Sequence, residues 1–374
     1  MHPPPPEYED QLTRVLAGLL MEDRLARVSP GSRMRRRGGP PLLEIVEPRP
    51  AAAAALLGRL RHRYADNGAL PVNDLAVPTG EPQASGRAVT DCLWYLSTRA
   101  GGLGGELAHR PPLAFPRLST GLLVQRWAAT RRNTAPTDLD LDEQLRLLLR
   151  ELRREREDRQ PPGPVEGLDR VEKAVAGLGT PGAVTSFGLA LLRLLLLRGR
   201  AYRTSLRWWG RTLQVPARSL LPRREAVVAE LFNVHRNHCD KRGRTAPALL
   251  TLAFLADIDA HYHCYRRLNR DRPPLILLPH AEAPAGRRLL AALVQAYDAE
   301  PTSRRRPTRP VVLAVSTTHR PLPGAADGVS APERHVEDLA GHLGEWWPAA
   351  GRTPQERWLL TLTSRTGRNG GRPC

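Results

Sequence analysis

Three short apolar runs constrain the fold of this chain most. They are LLEIV at 42–46, LILL at 275–278 and VVLAVS at 311–316. Apolar runs this short indicate strands buried on both faces, as in a parallel sheet. The first two runs are followed by helical patterns at 51–65 and 287–300, and LPVNDLA at 70–76 is a further strand candidate. The sequence therefore predicts an α/β domain with a parallel sheet.

Much of the remaining chain has helical periodicity. Further helices are predicted at 8–28, 141–158, 165–178, 184–198, 223–240 and 247–268. We therefore divide the chain into an N-terminal helix and basic linker (1–40), an α/β domain (41–330) with a helical insertion at about 120–270, and a partly disordered C-terminal segment (331–374). An all-helical fold, in which packing overrides the short strands, is the competing prediction.

The charge of the chain is strongly positive, with a formal net value of +18. Of the 56 basic side chains only Lys173 and Lys241 are lysines. Arginine, alanine, proline and glycine all have GC-rich codons, so this excess reflects genome composition as well as function. A positive field attracts anions without specificity. Non-specific nucleic-acid binding is therefore an alternative function, and it requires the arginines to cluster on one face.

Cysteine usage and the absence of targeting signals indicate a cytoplasmic protein. The four cysteines are widely scattered, so the sequence implies no disulfide framework. The start, MHPPPPEYEDQ, lacks the pattern of a signal peptide. The most apolar segment, at 184–197, contains Arg193 and is shorter than the roughly 20 residues of a membrane span. The sequence predicts no membrane span.

The segment EPRPAAAAALLGRL, at 47–60, follows the first predicted strand, where a phosphate loop would lie. Such a loop needs glycines that let backbone N–H groups surround phosphate, then Gly-Lys-Ser/Thr opening a helix. A second strand must end in an acidic residue that supports magnesium. In the order of its segments, the chain resembles the large P-loop ATPase-like proteins of actinobacteria, of the STAND or AAA-like type. The most specific part of the resemblance is 253–297, and LAFPRLSTGLLVQRW at 113–127 and PVVLAVSTTHRP at 310–321 add to it.

The resemblance implies a P-loop NTPase-type parallel sheet with a large helical insertion between the two motifs, and it assigns vestigial site residues. In the phosphate loop, or Walker A motif, the vestigial positions are Glu47 and Pro50 for glycines, Ala52 for the last glycine, Ala53 for the lysine and Ala54 for the Ser/Thr. In the Walker B motif they are Pro279 for the strand-end aspartate, His280 beside it and Glu282 for a second acid. Candidate sensors of the terminal phosphate are Ser316, Thr317 and Arg320.

These replacements remove the chemistry of the site. The lysine, the magnesium-binding hydroxyl and the strand-end aspartate are all missing, and Glu47 would repel polyphosphate. Loss of even one preorganised partner costs such a site about 10²-fold or more in rate. The sequence therefore predicts a catalytically silent pseudo-ATPase that uses no cofactor and acts as a regulator or scaffold through a protein partner, such as a full-length active relative. The relatives usually continue beyond this point, so a truncated product is another interpretation.

Two other functions stay open. A residual ATP-binding switch or weak ATPase, with Mg²⁺, would use the helix start at 51–55, Glu282 and Arg320. A basic nucleic-acid-binding protein would use the positive charge. Signalling or conflict systems are the setting that the resemblance implies.

Histidines, cysteines and tryptophans provide further candidate sites. Metal-ligand spacing occurs in two groups, His235, His238 and Cys239, and His261, His263 and Cys264. Solvated or core histidines explain these groups better than zinc, so no metal is predicted. The pairs Trp208–Trp209 and Trp346–Trp347 favour packing or a protein interface over base stacking.

Overall fold

A computed structural model describes residues 8–25, 41–64, 69–71, 85–97, 113–130, 199–216, 223–262, 273–299, 308–323, 334–345 and 353–364. The chain divides into two compact units. The first comprises Met1–Phe115 with Pro247–Cys374, and the second comprises Pro116–Ala246. The second unit overlaps most of the helical insertion that the sequence predicts at about 120–270. The helices predicted at 141–158, 165–178 and 184–198 lie outside the described residues.

Five parallel strands form the sheet of the first unit. They are β1 (Leu42–Val46), β2 (Ala69–Pro71), β3 (Leu275–Leu278), β4 (Val311–Ser316) and β5 (Leu359–Thr363). Their order is β2-β3-β4-β1-β5, and every pairing is parallel. The predicted α/β class with a parallel sheet is confirmed, and the all-helical alternative is wrong, because buried strand pairing satisfies the backbone of the three short apolar runs.

The described helices are α1 (Glu9–Leu25), α2 (Pro50–Tyr64), α3 (Ser85–Ser97), α4 (Pro116–Thr130), α5 (Gly199–Thr212), α6 (Arg223–Asn237), α7 (Ala246–His261), α8 (Pro284–Ala299), α9 (Leu339–Glu345) and α10 (Pro354–Trp358). A 3₁₀ turn, Val336–Asp338, precedes α9. In the described ranges, no helix has the length and apolar character needed to cross a membrane.

One face of the sheet carries the largest hydrophobic core. Leu43 and Ile45 of β1 point into it, together with apolar residues of α1, α2 and α9. In α1, Leu12, Leu16 and Leu20 recur at every fourth position and are buried, which is the spacing of one helix face. The predicted N-terminal helix is therefore part of the core of the first unit.

The other face of β1 carries Glu44, which meets Arg287 of α8. Leu289, Leu293 and Tyr297 recur at every fourth position of α8 and are buried. Close approach of α8 to the preceding turn requires a glycine at 286, because a Cβ there would lie 2.9 Å from the Cα of Ala281.

The segment 331–374, which the sequence analysis set apart from the α/β domain, contributes a strand to the sheet. β5 pairs with β1 along its whole length, from Leu42↔Leu359 to Val46↔Thr363. Immediately before β5, Trp358 packs edge-on against Tyr297 at 5.7 Å between ring centroids. These contacts make the described C-terminal residues part of the first unit.

The second unit is built on contacts among α4, α5 and α6. Trp209 of α5 is fully buried and donates through Nε1 to the Arg117 carbonyl at 3.0 Å. Ser205 donates to the hydroxyl of Thr120 at 2.9 Å. Trp208 lies edge-on against Trp209, at 4.9 Å between ring centroids. The Trp346–Trp347 pair lies outside the described residues.

Candidate vestigial phosphate site

The carboxyl ends of β1, β3 and β4 meet at one edge of the sheet, here called the carboxyl edge. Ligands of parallel α/β folds bind at such an edge. Backbone hydrogen bonds join the chain segments that leave it, from Glu47 N to Ser316 O at 2.8 Å and from Ala281 N to Val315 O at 3.0 Å. The fold thus brings the residues of the Walker A, Walker B and sensor candidates to the same edge.

The turn between β1 and α2 is too short to wrap a phosphate. β1 ends at Val46 and α2 begins at Pro50, so only residues 47–49 lie between them. Pro50 fits the first turn of a helix because its missing N–H would have no helical partner there. The polyalanine segment is therefore helix from its start.

The vestigial alanines lie in the first turns of α2 and differ in exposure. Ala52 and Ala53 are each only 7% exposed, and Ala53 belongs to the hydrophobic core, whereas Ala54 is exposed. A lysine at 53 would thus begin in an apolar environment, which disfavours its charge. A lysine at this position would have to displace the apolar packing around Ala53 to reach a phosphate.

Few backbone donors remain in this segment for an anion. Pro48 and Pro50 have no N–H. The N–H groups of Glu47, Arg49 and Ala53 donate to Ser316 O, to Glu47 Oε1 and to Arg49 O, respectively. Of residues 47–53, this leaves the N–H groups of Ala51 and Ala52. A phosphate loop needs a nest of successive N–H groups, and here most of them are absent or occupied.

Glu47 supplies the anion at this turn from within the chain. Its side chain is fully buried and accepts hydrogen bonds from Tyr8 Oη at 2.9 Å and Arg49 Nε at 2.8 Å. Burial alone would raise the pKa of Glu47, but the bonds from Arg49 and Tyr8 outweigh burial and hold that pKa below its ordinary value. Burial and the bond to Glu47 in turn raise the pKa of Tyr8 far above its ordinary value.

Acid should weaken this arrangement in a defined pH window. Because the folded pKa of Glu47 is lowered, its contribution to stability is fully present above the ordinary carboxyl value of 4.5 and is lost as pH falls through the folded pKa. Below about pH 4.5, we expect the unfolding free energy of Glu47→Gln to fall less with decreasing pH than that of wild type. Urea unfolding of both proteins at a series of pH values measures the difference.

Tyr8→Phe serves as the matched control for that experiment. It removes one hydrogen bond to the carboxylate and should lower the free energy of unfolding by about 1–2 kcal/mol at neutral pH. Most of the decrease in unfolding free energy at acid pH should remain, because Arg49 still binds Glu47. If the unfolding free energies of wild type and Glu47→Gln fall equally at acid pH, protonation of Glu47 is not coupled to unfolding.

The Walker B candidates form a tight turn after β3. His280 has a positive φ of 49° and a mostly exposed side chain. Glu282 accepts from the hydroxyl of Thr317 at 3.0 Å and from its backbone N–H at 3.3 Å. Its carboxylate therefore ties the β3 turn to the end of β4. Pro279, at the strand end, offers no oxygen ligand from its side chain.

The three sensor candidates have different environments. Ser316 is buried and donates to Glu44 Oε1 at 3.1 Å. Thr317 is bound to Glu282, and Arg320 is exposed. The hydroxyls of Ser316 and Thr317 thus donate to internal carboxylates at the carboxyl edge.

Glu44 and Arg287 form a buried ion pair that the sequence analysis did not single out. Arg287 Nη1 lies 2.7 Å from Glu44 Oε1, and both side chains are almost fully buried. Ser316 and Thr361 donate their hydroxyls to the two oxygens of Glu44, at 3.1 and 3.2 Å. The sequence does indicate that such a pair is needed, because Glu44 lies inside the apolar run LLEIV and a buried carboxylate requires a partner.

The metal-ligand candidates are not brought together where they are described. His235 is buried, whereas His238 and Cys239 are exposed. His261 Nε2 lies 2.8 Å from the backbone nitrogen of Ala114. His263 and Cys264 lie outside the described residues. Across the described ranges, no group of three or more His, Cys, Asp or Glu side chains is placed to hold a metal ion.

Known proteins provide no assignment for this geometry. Comparison of the chain with protein-family models, with curated proteins and with solved structures found no match.

Proposed function

We propose that this chain is a pseudo-ATPase without catalytic activity, in which a P-loop NTPase-type domain acts as a regulator or scaffold for a protein partner. The observation that carries the proposal is Glu47. A carboxylate of the chain itself occupies the turn after β1 and binds Arg49 N and Arg49 Nε, donors that an incoming phosphate would need. A second anion would meet both repulsion and a shortage of donors.

The sheet order supports the P-loop interpretation. β1 and β3, the strands of the two motifs, run parallel with β4 between them, so both motifs reach the carboxyl edge. A helix follows β1 and a turn follows β3, and this is the order of elements in which the two motifs occur.

The described side chains at this edge also argue against a residual ATPase. Magnesium would need the hydroxyl and the strand-end acid, and positions 54 and 279 hold alanine and proline. Glu282, the displaced acid, directs its hydrogen bonds to Thr317. Without these magnesium ligands the site lacks the metal charge that stabilises phosphoryl transfer, so binding of a partner is the function that we assign to the domain. A regulatory role predicts that the chain changes the ATP turnover of an active relative without adding turnover of its own.

A variant in which the residues of a phosphate loop are restored tests whether this chain has lost a nucleotide-binding site. A graft carries Glu47→Gly, Pro50→Gly, Ala52→Gly, Ala53→Lys, Ala54→Thr and Pro279→Asp. We expect wild type to give no saturable heat with Mg-ATP. The graft should bind in the micromolar to millimolar range, because its three glycines let the first turn of α2 unwind into a longer loop and because it regains N–H donors, a cation and metal ligands. Isothermal titration calorimetry measures both proteins.

A second graft that keeps Ala53 is the matched control. It has the same loop flexibility but lacks the lysine, and it should bind ATP at least about tenfold more weakly than the full graft. Circular dichroism and thermal unfolding must first show that the grafts fold, because Ala53 is buried. Saturable micromolar binding of Mg-ATP to wild type would overturn the proposal.

A further inference from the structure

We propose that the second unit binds the phosphate backbone of nucleic acid through one surface, made of α5 and the turn that follows α6. This basic surface is defined by four exposed arginines, Arg207 and Arg211 of α5, Arg236 of α6 and Arg242 of the turn. The inference does not depend on the proposed loss of ATPase activity, because the carboxyl edge belongs to the first unit.

Among the side chains described from 204 to 214, the fully exposed ones are all polar. Thr204, Arg207 and Arg211 of α5 and Gln214 just after it are exposed, whereas Leu206 and Trp209 of α5 and the following Leu213 are buried. Arg207 and Arg211 are four residues apart, so they lie side by side on the helix, with about 5–6 Å between Cβ atoms. The helix thus presents a pair of neighbouring guanidinium groups to solvent.

The turn after α6 is held rigidly by a buried carboxylate. Asp240 accepts from the backbone N–H groups of Arg242 at 2.9 Å and Arg244 at 2.8 Å, and from Arg244 Nε at 2.7 Å. These bonds overcome burial and lower the pKa of Asp240. Gly243 has a φ of 73°, which suits glycine, and Cys239 pairs with Thr245 across the turn. The turn therefore fixes where Arg242 is presented.

One contact joins this turn to α5. Arg244 Nη2 donates to the carbonyl of Thr212, the last residue of α5, at 2.7 Å. Thr212 directly follows Arg211, so the turn and the exposed end of α5 lie side by side. In the described part of the chain, no carboxylate forms an ion pair with the four arginines of the basic surface, whereas Lys241 pairs with Glu230 at 2.9 Å.

The chemistry of this surface favours a phosphate backbone over an acidic protein. A protein interface needs an apolar centre that is removed from water, and the exposed side chains described between 204 and 214 supply none. A phosphate backbone needs cations and no apolar contact.

The test compares two triple variants of the full chain that lose the same charge. The first is Arg207→Gln, Arg211→Gln and Arg242→Gln. The control, Arg14→Gln, Arg61→Gln and Arg63→Gln, changes exposed arginines of α1 and α2 in the first unit. The probe is a fluorescein-labelled DNA duplex of arbitrary sequence, and its anisotropy gives the binding constant at salt concentrations from about 50 to 200 mM.

We expect the first variant to bind at least about tenfold more weakly than wild type and to reduce the slope of log K against log salt by about 2–3. The control should keep nearly all of the wild-type slope. Equal losses in the two variants would show that net charge, not this surface, attracts DNA, and would overturn the inference. A labelled polyglutamate peptide that binds wild type as tightly as the duplex, and loses as much in the first variant, would also overturn it.

Discussion

Arg287→Met is expected to destabilise the first unit by about 3–5 kcal/mol, because it leaves Glu44 buried without its cation. Glu44 is fully buried in β1, and Arg287 Nη1 lies 2.7 Å from its Oε1. Ser316 and Thr361 would still donate to the carboxylate, but two hydroxyls do not neutralise a charge. Equilibrium unfolding in urea at neutral pH measures the loss.

A double variant distinguishes an unpaired charge from lost packing. Glu44→Gln with Arg287→Met removes both charges and keeps an acceptor for the hydroxyls. We expect it to be more stable than Arg287→Met alone, because replacement of a whole buried pair is often nearly neutral. If Arg287→Met costs less than about 1 kcal/mol, or if the double variant is no more stable than Arg287→Met, the ion pair does not act as described.

Trp358→Ala is the second change with a large expected effect, about 3–5 kcal/mol of unfolding free energy. The Trp358 ring packs on Tyr297, and the Arg309 guanidinium lies 4.4 Å from the Trp358 ring centroid and 4.2 Å from that of Tyr297. Removal of the indole leaves a cavity and exposes one side of a buried arginine. Thermal and urea unfolding both report this loss.

Arg357→Ala is the neighbouring control. It breaks an ion pair with Asp298 in which both side chains are about one quarter exposed, and such pairs contribute about 0–1 kcal/mol. A much larger loss of unfolding free energy in Trp358→Ala than in Arg357→Ala is expected if the C-terminal segment is part of the first unit. A Trp358→Ala protein as stable as wild type would contradict the packing of α10 and β5 onto the sheet.

Strong local patterns predicted much of the sheet. β1, β3 and β4 are short apolar runs with no competing helical period, and the helices α2 and α8 follow directly after β1 and the β3 turn. β5 was missed because LLTLT follows a helical segment and lacks turn residues before it, although its alternating threonines favour a strand. The start of α2 was predicted closely, since Pro50 and the alanines that follow favour a helix from that point.

The contacts within the carboxyl edge could not be predicted in the same way. Glu47 was expected to repel phosphate, but Tyr8 lies 39 residues away in sequence, and no local pattern indicates that it binds Glu47. Arg287 is one arginine among many, so composition hides its role. What local sequence does show is a carboxylate in an apolar strand, Glu44, and this feature by itself indicates that a buried partner is needed.

Titration of the unmodified chain with Mg-ATP, followed by isothermal titration calorimetry, tests the central claim most directly. Glu47 and the internal hydrogen bonds of residues 47–53 predict no saturable heat, equivalent to a Kd weaker than about 1 mM. Saturable binding of Mg-ATP to the unmodified chain with a micromolar Kd would contradict the account, because it would show that Glu47 and this turn do not block a nucleotide site.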